Sequence, residues 1–311
     1  MLQSKSISQP VGLFQRLPKS WRKELQFFAF ISPWLIGFIA FSGGPIIASA
    51  IISFTEWSIL GTPKFLGLEN YRRLAADPNF WTALGNTIYY TIGSVVLITI
   101  ASLLAALLLN QKLRGVRFFR TLYFLPSVTS GVAIAILFSW MYNPEFGVIN
   151  YMLHKVGIIG PNWLFDEFWA MPAIIFMSLW TIGSNMMIIL AGLQDIPQSL
   201  VEASRLDGAN WWQEFRYVMV PMLSPVLFLV IITSTINSFQ VFLQPYVMTG
   251  GGPGNATLVL VLYLYQNAFL WWKMGYGASM AWVLAIIILI LTLVQFRLAG
   301  HWVYYEGERR S

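Results

Sequence analysis

The sequence predicts an all-α, polytopic membrane protein with six transmembrane helices and a short cytoplasmic helix-turn-helix between the fourth and the fifth. Three observations carry this reading. Hydrophobic residues fill 57% of the 311 positions and charged residues only 10%, with a mean hydropathy of +0.64. A soluble domain carries about 25% charged residues, so this chain lacks the polar surface to face water all round. Six windows are long enough to cross a hydrocarbon core, which takes about 20 apolar residues as helix. None of the six holds an Asp, Glu, Lys or Arg; the 19 basic and 13 acidic residues all lie between or outside them.

The windows run over residues 27–54, 87–109, 122–142, 169–193, 222–246 and 276–296. They define an N-terminal tail (1–26), a six-helix transmembrane domain (27–298) and a C-terminal tail (299–311). Ahead of the first window stand basic residues, and Ala48-Ser49-Ala50 imitates a signal-peptide cleavage site. A signal's apolar region is only about 7–15 residues long, so an uncleaved helix is predicted, kinked near Gly43-Gly44-Pro45. The first outer loop is polar and predicts a short helix at Glu69-Asn70-Tyr71-Arg72-Arg73. Trp57, Trp81, Trp163, Trp169, Trp271 and Trp272 gather at span ends, where interfacial anchoring accounts for them.

Orientation follows from the basic residues. Five stand in the N-terminal tail (Lys5, Arg16, Lys19, Arg22, Lys23), four after span two (Lys112, Arg114, Arg117, Arg120), two after span four (Arg205, Arg216) and three at the C-terminus (Arg297, Arg309, Arg310). These fourteen lie on one side and the remaining five on the other, which predicts cytoplasmic termini. The cluster at 112–120 is then a topology signal, and nucleic acid is not an expected partner. Cysteine is absent, which excludes disulfides, thiol catalysis and cysteine-bound zinc. His154 and His301 fall on opposite sides, so no metal site is expected. No catalytic residues are expected either: the spans hold no carboxylate, basic side chain, His or Cys, and no Gly-x4-Gly-Lys-Ser/Thr nucleotide loop occurs.

The loop QDIPQSLVEASRLDGANWWQEFRYVMVPML is parsed by helix signals. Ser199 with Glu202 predicts a capping box after Pro197, and Gly208 a left-handed stop. Asn210 with Gln213 predicts a second capping box, opening a helix from Trp211 to Val220, with Pro221 at the start of span five. Its apolar face fits either membrane lipid or a protein partner. Two basic residues against four acidic ones (Asp195, Glu202, Asp207, Glu214) favour the protein.

Within the spans the polar residues are neutral. Thr233, Asn237, Gln240 and Gln244, spaced by four, three and four, are predicted to share one helix face, widened by Ser234 and Ser238. Trp180, Thr181, Ser184 and Asn185 cluster on span four. Such groups either bond neighbouring helices or line a cavity; for Asn237 and Gln240, whose amides need several partners, cavity lining is the better account. The stretch Gly250 to Gly254 lacks the strand and lysine of a phosphate cradle and predicts a turn or re-entrant segment on the outer side.

Glu202-Ala203-Ser204, Asp207-Gly208-Ala209 and Pro221 resemble the EAA loop of ATP-binding-cassette importer permeases, with Ser204 in place of an alanine and Val220-Pro221 in place of leucine-proline. Leu66-Gly67-Leu68-Glu69-Asn70-Tyr71, Phe119 to Pro126 and Thr249 to Thr257 are similar to segments of carbohydrate-importer permeases of the maltose and glycerol-3-phosphate type. The resemblance implies an ATP-driven, binding-protein-dependent importer of a neutral sugar or oligosaccharide in the cell membrane. It implies a second related permease subunit, two ATP-binding-cassette ATPase subunits that bind ATP and Mg, and an extracytoplasmic solute-binding protein. Glu202, Ala203, Ser204, Asp207, Gly208 and Ala209 would form the ATPase-coupling loop. Trp180, Ser184, Asn185, Ser234, Asn237, Ser238, Gln240 and Gln244 are the candidate substrate-binding residues. The alternatives are a self-sufficient secondary transporter or channel for a small polar solute, or an importer of glycerol 3-phosphate.

Overall fold

The structure is a computed structural model that describes residues 19–111 and 114–304. Lys5, Arg16, Lys112, Arg309 and Arg310, counted above toward orientation, lie outside the described residues. The chain divides into two units, Met1–Ile52 and Ser53–Ser311.

The first unit holds α1 (Lys19–Phe38) and the start of α2 (Gly44–Ser53), joined without a break by a π-helical turn over Ile39–Gly43. The turn falls where a kink is predicted, just before Pro45, whose missing N–H disturbs the ladder. Every described side chain from 21 to 52 is exposed or half-buried.

Among the described residues of the second unit, the regular structure is helical apart from two paired two-residue strands, β1 (Thr55–Glu56) and β2 (Lys64–Phe65). After α3 (Glu69–Ala76) comes α4 (Pro78–Leu109), longer than the predicted 87–109. Asp77 caps its N-terminus by accepting from the Asn79 N–H, and Pro78 occupies the first turn, where a missing donor costs nothing.

Two predicted spans are broken. The third consists of α5 (Val116–Phe124), a 3₁₀ turn (Leu125–Val128) and α6 (Gly131–Met141), bent by 99°. Pro126 interrupts the hydrogen-bond ladder there. A short α7 (Val148–Lys155) follows. The fourth span consists of α8 (Ala170–Met177), a 3₁₀ turn (Ser178–Thr181) and α9 (Gly183–Gln194), bent by 50°. At Gly183 a Cβ would collide with the Tyr123 carbonyl, so only glycine lets the two broken spans touch at their bends.

The loop after span four is α10 (Gln198–Leu206) and α11 (Trp211–Glu214). A π-turn (Phe215–Met219) then leads into α12 (Val220–Phe239), so one unbroken helix runs from Trp211 to Phe239. The predicted fifth span, 222–246, therefore ends seven residues early. Pro245 lacks the N–H that would continue the ladder, and α13 (Leu243–Met248) starts afresh around it. α14 (Leu260–Tyr265), a π-turn (Gln266–Leu270) and α15 (Met274–Trp302) complete the chain. Among the described residues, four helices are long and apolar enough to cross a membrane, and up to six spans result if each bent pair counts as one.

α4 is the central post, packed against α9 and α12 at one end and against α8 and α14 at the other. Buried clusters hold both ends: Ala106, Met186, Ile189 and Leu223 at one, Ile174, Leu258, Leu260 and Met280 at the other. The glycine-rich stretch folds back on the second cluster, with Gly251 buried near Leu258 and Leu262 and Gly250 and Gly254 exposed. Asn86 Nδ2 donates to the carbonyls of Asn255 (2.8 Å) and Leu258 (3.1 Å), and the Leu260 N–H donates to Thr87 Oγ1 (2.9 Å). Gly250, Gly251 and Gly254 adopt the left-handed backbone that this reversal requires.

Candidate functional site

Where α9, α12 and the break at 240–243 meet, they enclose a cavity of about 470 Å³. Ser184, Asn185, Ser234, Asn237, Ser238, Gln240 and Gln244 all line it, with Tyr90 and Ile174 among its apolar walls. No charged side chain lines it. The predicted single helix face does not exist, because α12 stops at Phe239. Gln240 is the helix cap, and Gln244 reaches the cavity from α13. Thr233 drops out, its hydroxyl donating to the Leu229 carbonyl at 2.7 Å.

Trp180 also falls outside the lining. In a 3₁₀ turn residues three apart eclipse one another, so Ser178 and Thr181 both face the cavity while Trp180 is turned away. Its ring meets Phe138 edge-on at 5.6 Å. The serines do both jobs weighed for them. Ser238 Oγ shares a hydrogen bond with Ser94 Oγ (3.1 Å), and Ser234 Oγ accepts from Asn185 Nδ2 (3.2 Å), tying α12 to α4 and α9. Gln240 Nε2 donates to the Ile236 carbonyl at 3.1 Å, which leaves its amide oxygen available.

At the other end of the same long helix stands a compact knob. α10 begins two residues earlier than predicted, with Pro197 before it and no side-chain cap. The predicted Ser199–Glu202 capping box is absent because Ser199 is already inside the helix; Glu202 Oε1 instead accepts from Gln198 Nε2 at 3.3 Å. The stop is as predicted. Gly208 has φ +83°, its N–H donates to the Arg205 carbonyl, and the Ala209 N–H donates to Ser204, the two bonds of a Schellman turn. The Asn210–Gln213 capping box is present.

Glu202, Ala203, Asp207 and Gly208 are exposed on this knob, while Ser204 and Ala209 are half-buried in the turn. Trp211 and Trp212 add a broad exposed aromatic surface, each 61% exposed, with Trp211 stacked on Phe215. Sequence reasoning missed what holds α10 against α11. Arg205 bonds Glu214 in a bidentate pair (2.7 and 3.1 Å), and the Glu214 carboxylate is only 3% exposed. A buried carboxylate left without such a partner is strongly destabilising. The carboxylate in turn raises the pKa of Arg205 through the hydrogen bond and its charge.

Residues 98–302 match the family of binding-protein-dependent transport system inner membrane components. The chain belongs to this family. Its permease relatives include the lactose transport system permease protein LacF of Rhizobium radiobacter, 40% identical over 86% of this chain and 91% of that protein. The arabinooligosaccharides transport system permease protein AraP of Bacillus subtilis is 36% identical over 93% of this chain and 92% of its own length. The fold is shared with a bacterial ABC transporter involved in the import of the acidic polysaccharide alginate, with a TM-score of 0.80 at 21% identity, covering 91% of this chain and 98% of that one.

In this permease the cavity and the knob are therefore opposite ends of one element. From Trp211 to Asn237 the helix spans about 40 Å at 1.5 Å per residue. Pro221 and Pro225 both lie within it without ending it, and the π-turn just before Pro221 absorbs the lost ladder bond. The signal for the missing brace was present but unreadable: nothing in the spacing of Arg205 and Glu214 says that a glycine reversal brings them together.

Proposed function

We propose that the chain is the saccharide-translocating subunit of an ATP-driven importer, holding a neutral sugar or oligosaccharide in the amide-lined cavity. The observation that carries this is the unbroken helix from Trp211 to Phe239, with an exposed knob at one end and the cavity residues Ser234, Asn237 and Ser238 at the other. A partner that moves the knob moves the cavity wall.

The lining supports the substrate class. Side-chain amides and hydroxyls both donate and accept, which suits sugar hydroxyls. A cavity without a charged side chain offers a phosphate nothing, so glycerol 3-phosphate would need a charge from a second subunit. The relatives named above carry lactose and arabinooligosaccharides in their names. The volume lies within the usual range of ligand sites, about 300–1,000 Å³.

The knob docks on a cytoplasmic ATPase, with Glu202 pairing a basic group there, Ala203 and Asp207 filling the contact, and Ser204, Gly208 and Ala209 shaping the turn. ATP and Mg belong to two such ATPase subunits, not to this chain. A second related permease completes the pathway, and an extracytoplasmic binding protein delivers the sugar on the side opposite the knob. Both termini and the knob are cytoplasmic, as the excess of Lys and Arg on that side requires.

Reconstitution tests this. Proteoliposomes holding this chain, its permease partner and the ATPase, supplied with the binding protein, should take up lactose, maltotriose or arabinotriose only with ATP and with vanadate sensitivity. Uptake by this chain alone would establish the secondary-transporter alternative instead.

A further inference from the structure

A second cavity is larger than the amide-lined one. About 920 Å³ is enclosed by the 55–64 hairpin, α3, the start of α4 and the turn between α14 and α15. Three tryptophans expected as interfacial anchors, Trp57, Trp271 and Trp272, line it. Trp271 and Trp272 are about half exposed, at 51% and 44%.

Their setting is built rather than loose. Trp272 has φ +59°, a left-handed backbone that a bulky side chain adopts only against steric cost. Strain of this kind gathers at ligand sites, where the surroundings over-determine it. Here the Trp271 N–H donates to the Gln266 carbonyl (2.9 Å) and the Lys273 N–H to the Asn267 carbonyl (2.8 Å), which clamp the turn on both sides of Trp272. Tyr263 meets the Trp271 ring edge-on at 6.2 Å, and Lys273 Nζ lies 5.9 Å from the same ring. Trp57 is held by its own indole, which donates to the Gly61 carbonyl at 2.8 Å.

Beneath the rings is a fixed polar floor. Asp77 Oδ2 accepts from the hydroxyls of Tyr263 (2.6 Å) and Tyr276 (2.7 Å), while Oδ1 accepts from Asn79. Burial pushes the Asp77 carboxyl up, but these bonds and one from the Phe80 backbone outweigh it and hold the group below the usual carboxylate range. Asn70 is locked by donating to the carbonyls of Ser53 and Thr55. Acidic and basic side chains of the lining, Glu56 and Asp77 against Lys64, Arg73 and Lys273, nearly balance, so no strongly ionic ligand is favoured.

Flat aromatic faces beside pre-ordered hydrogen-bonding groups are what a sugar ring requires, since it presents an apolar C–H face and a rim of hydroxyls. We infer that the tryptophan-lined cavity is a second saccharide site, taking a sugar unit on the outer side before it enters the amide-lined cavity. One buried cluster serves both sites, carrying Tyr263 at the first and Tyr90 at the second. The inference rests on the carbohydrate reading above, and its test separates the two.

The permease is labelled with 5-fluorotryptophan and assembled with its partner subunits in lipid nanodiscs without the binding protein. The ¹⁹F resonances of positions 271 and 272 are assigned by Trp271→Phe and Trp272→Phe. Lactose, maltotriose and arabinotriose are titrated, with glycerol as the polyol control, and uptake of each is measured in proteoliposomes of the same preparation. A saccharide that is taken up should shift both resonances saturably, while glycerol should not. Trp271→Ala combined with Trp272→Ala should then raise the uptake KM severalfold and leave the maximal rate unchanged. Uptake without a shift overturns the outer site alone. If the sugars cause no shift and one appears only when sugar-free binding protein is then added, the site is overturned too, and the cavity is a protein-docking surface. If none of the three sugars is taken up, the carbohydrate reading falls and this site with it.

Discussion

The two ends of the helix from Trp211 to Phe239 are built by different means. The knob is local: two turns of α10, a glycine reversal, a capping box and an aromatic surface all come from 17 consecutive residues, Gln198 to Glu214. The amide-lined cavity is assembled from several elements, and its members Tyr90, Asn185, Asn237 and Gln244 are scattered over more than half of the second unit. A local device fails when one backbone angle is forbidden, whereas an assembled cavity loses one hydrogen bond at a time. Substitutions at the two ends should therefore differ in the size of their effects and in which kinetic constant they move.

The largest effect is expected at the knob. Gly208→Pro demands φ near −65° where the chain has +83°, and Glu202→Lys reverses the exposed charge. Each should reduce ATP-dependent uptake to background while the protein still reaches the membrane, as read by immunoblot of the membrane fraction. Wild-type transport by both variants would remove the coupling role from this loop. Next comes the brace. Arg205→Ala strands the buried Glu214 carboxylate, whereas Glu214→Ala leaves a guanidinium that water can reach, so the first should be the more damaging. The difference in uptake rate should be on the order of tenfold, the scale of one charged hydrogen bond; equal rates would show that the pair does not hold the knob.

At the cavity the effects should be smaller and should fall on affinity. Asn237→Ala removes about one neutral hydrogen bond, on the order of 1 kcal/mol, and should raise KM about fivefold with little change in maximal rate. Trp180→Ala, outside the lining, should leave KM within about twofold on the same scale. A large KM effect at Trp180 would mean that the fourth span turns its other face to the substrate.

The smallest effect is expected away from both ends, at Asp77. Its carboxyl is held below 3.8, the ordinary value. The linked stability is therefore present above the unfolded value and is lost as pH falls through the folded one. Melting temperature should be flat from neutral pH to about 5 and fall more steeply below 4 in the wild type than in Asp77→Asn. Parallel acid profiles would show that the Tyr263 and Tyr276 contacts do not stabilise the charged form.

Much of this was legible in order along the chain. The spans were readable because apolar length is additive, and the knob because Gly208, Asn210 and Gln213 act within a few residues of themselves. Readings failed where a proline competed with apolar length. Pro126 and Pro245 sit in windows that look continuous, yet the third span passes into a 3₁₀ turn at Pro126 and bends just after it, and the fifth gives way to a new helix around Pro245. The Ser199–Glu202 box failed because a helix start two residues earlier placed the serine inside the helix. Trp180 lies outside the cavity lining because a 3₁₀ turn changed the angular phase of span four.

By itself the sequence determined the membrane class, the near absence of charge from the spans and the glycine turn between α10 and α11, because each depends on residue type or on neighbours within a single turn of chain. Only the tertiary structure decided that Gln244 and Asn237 share a cavity across a helix break, that Arg205 finds Glu214, and that Trp57 meets Trp271 and Trp272 around Asp77. Those meetings depend on where a bent backbone returns, and no periodicity in the chain encodes a contact between residues that far apart.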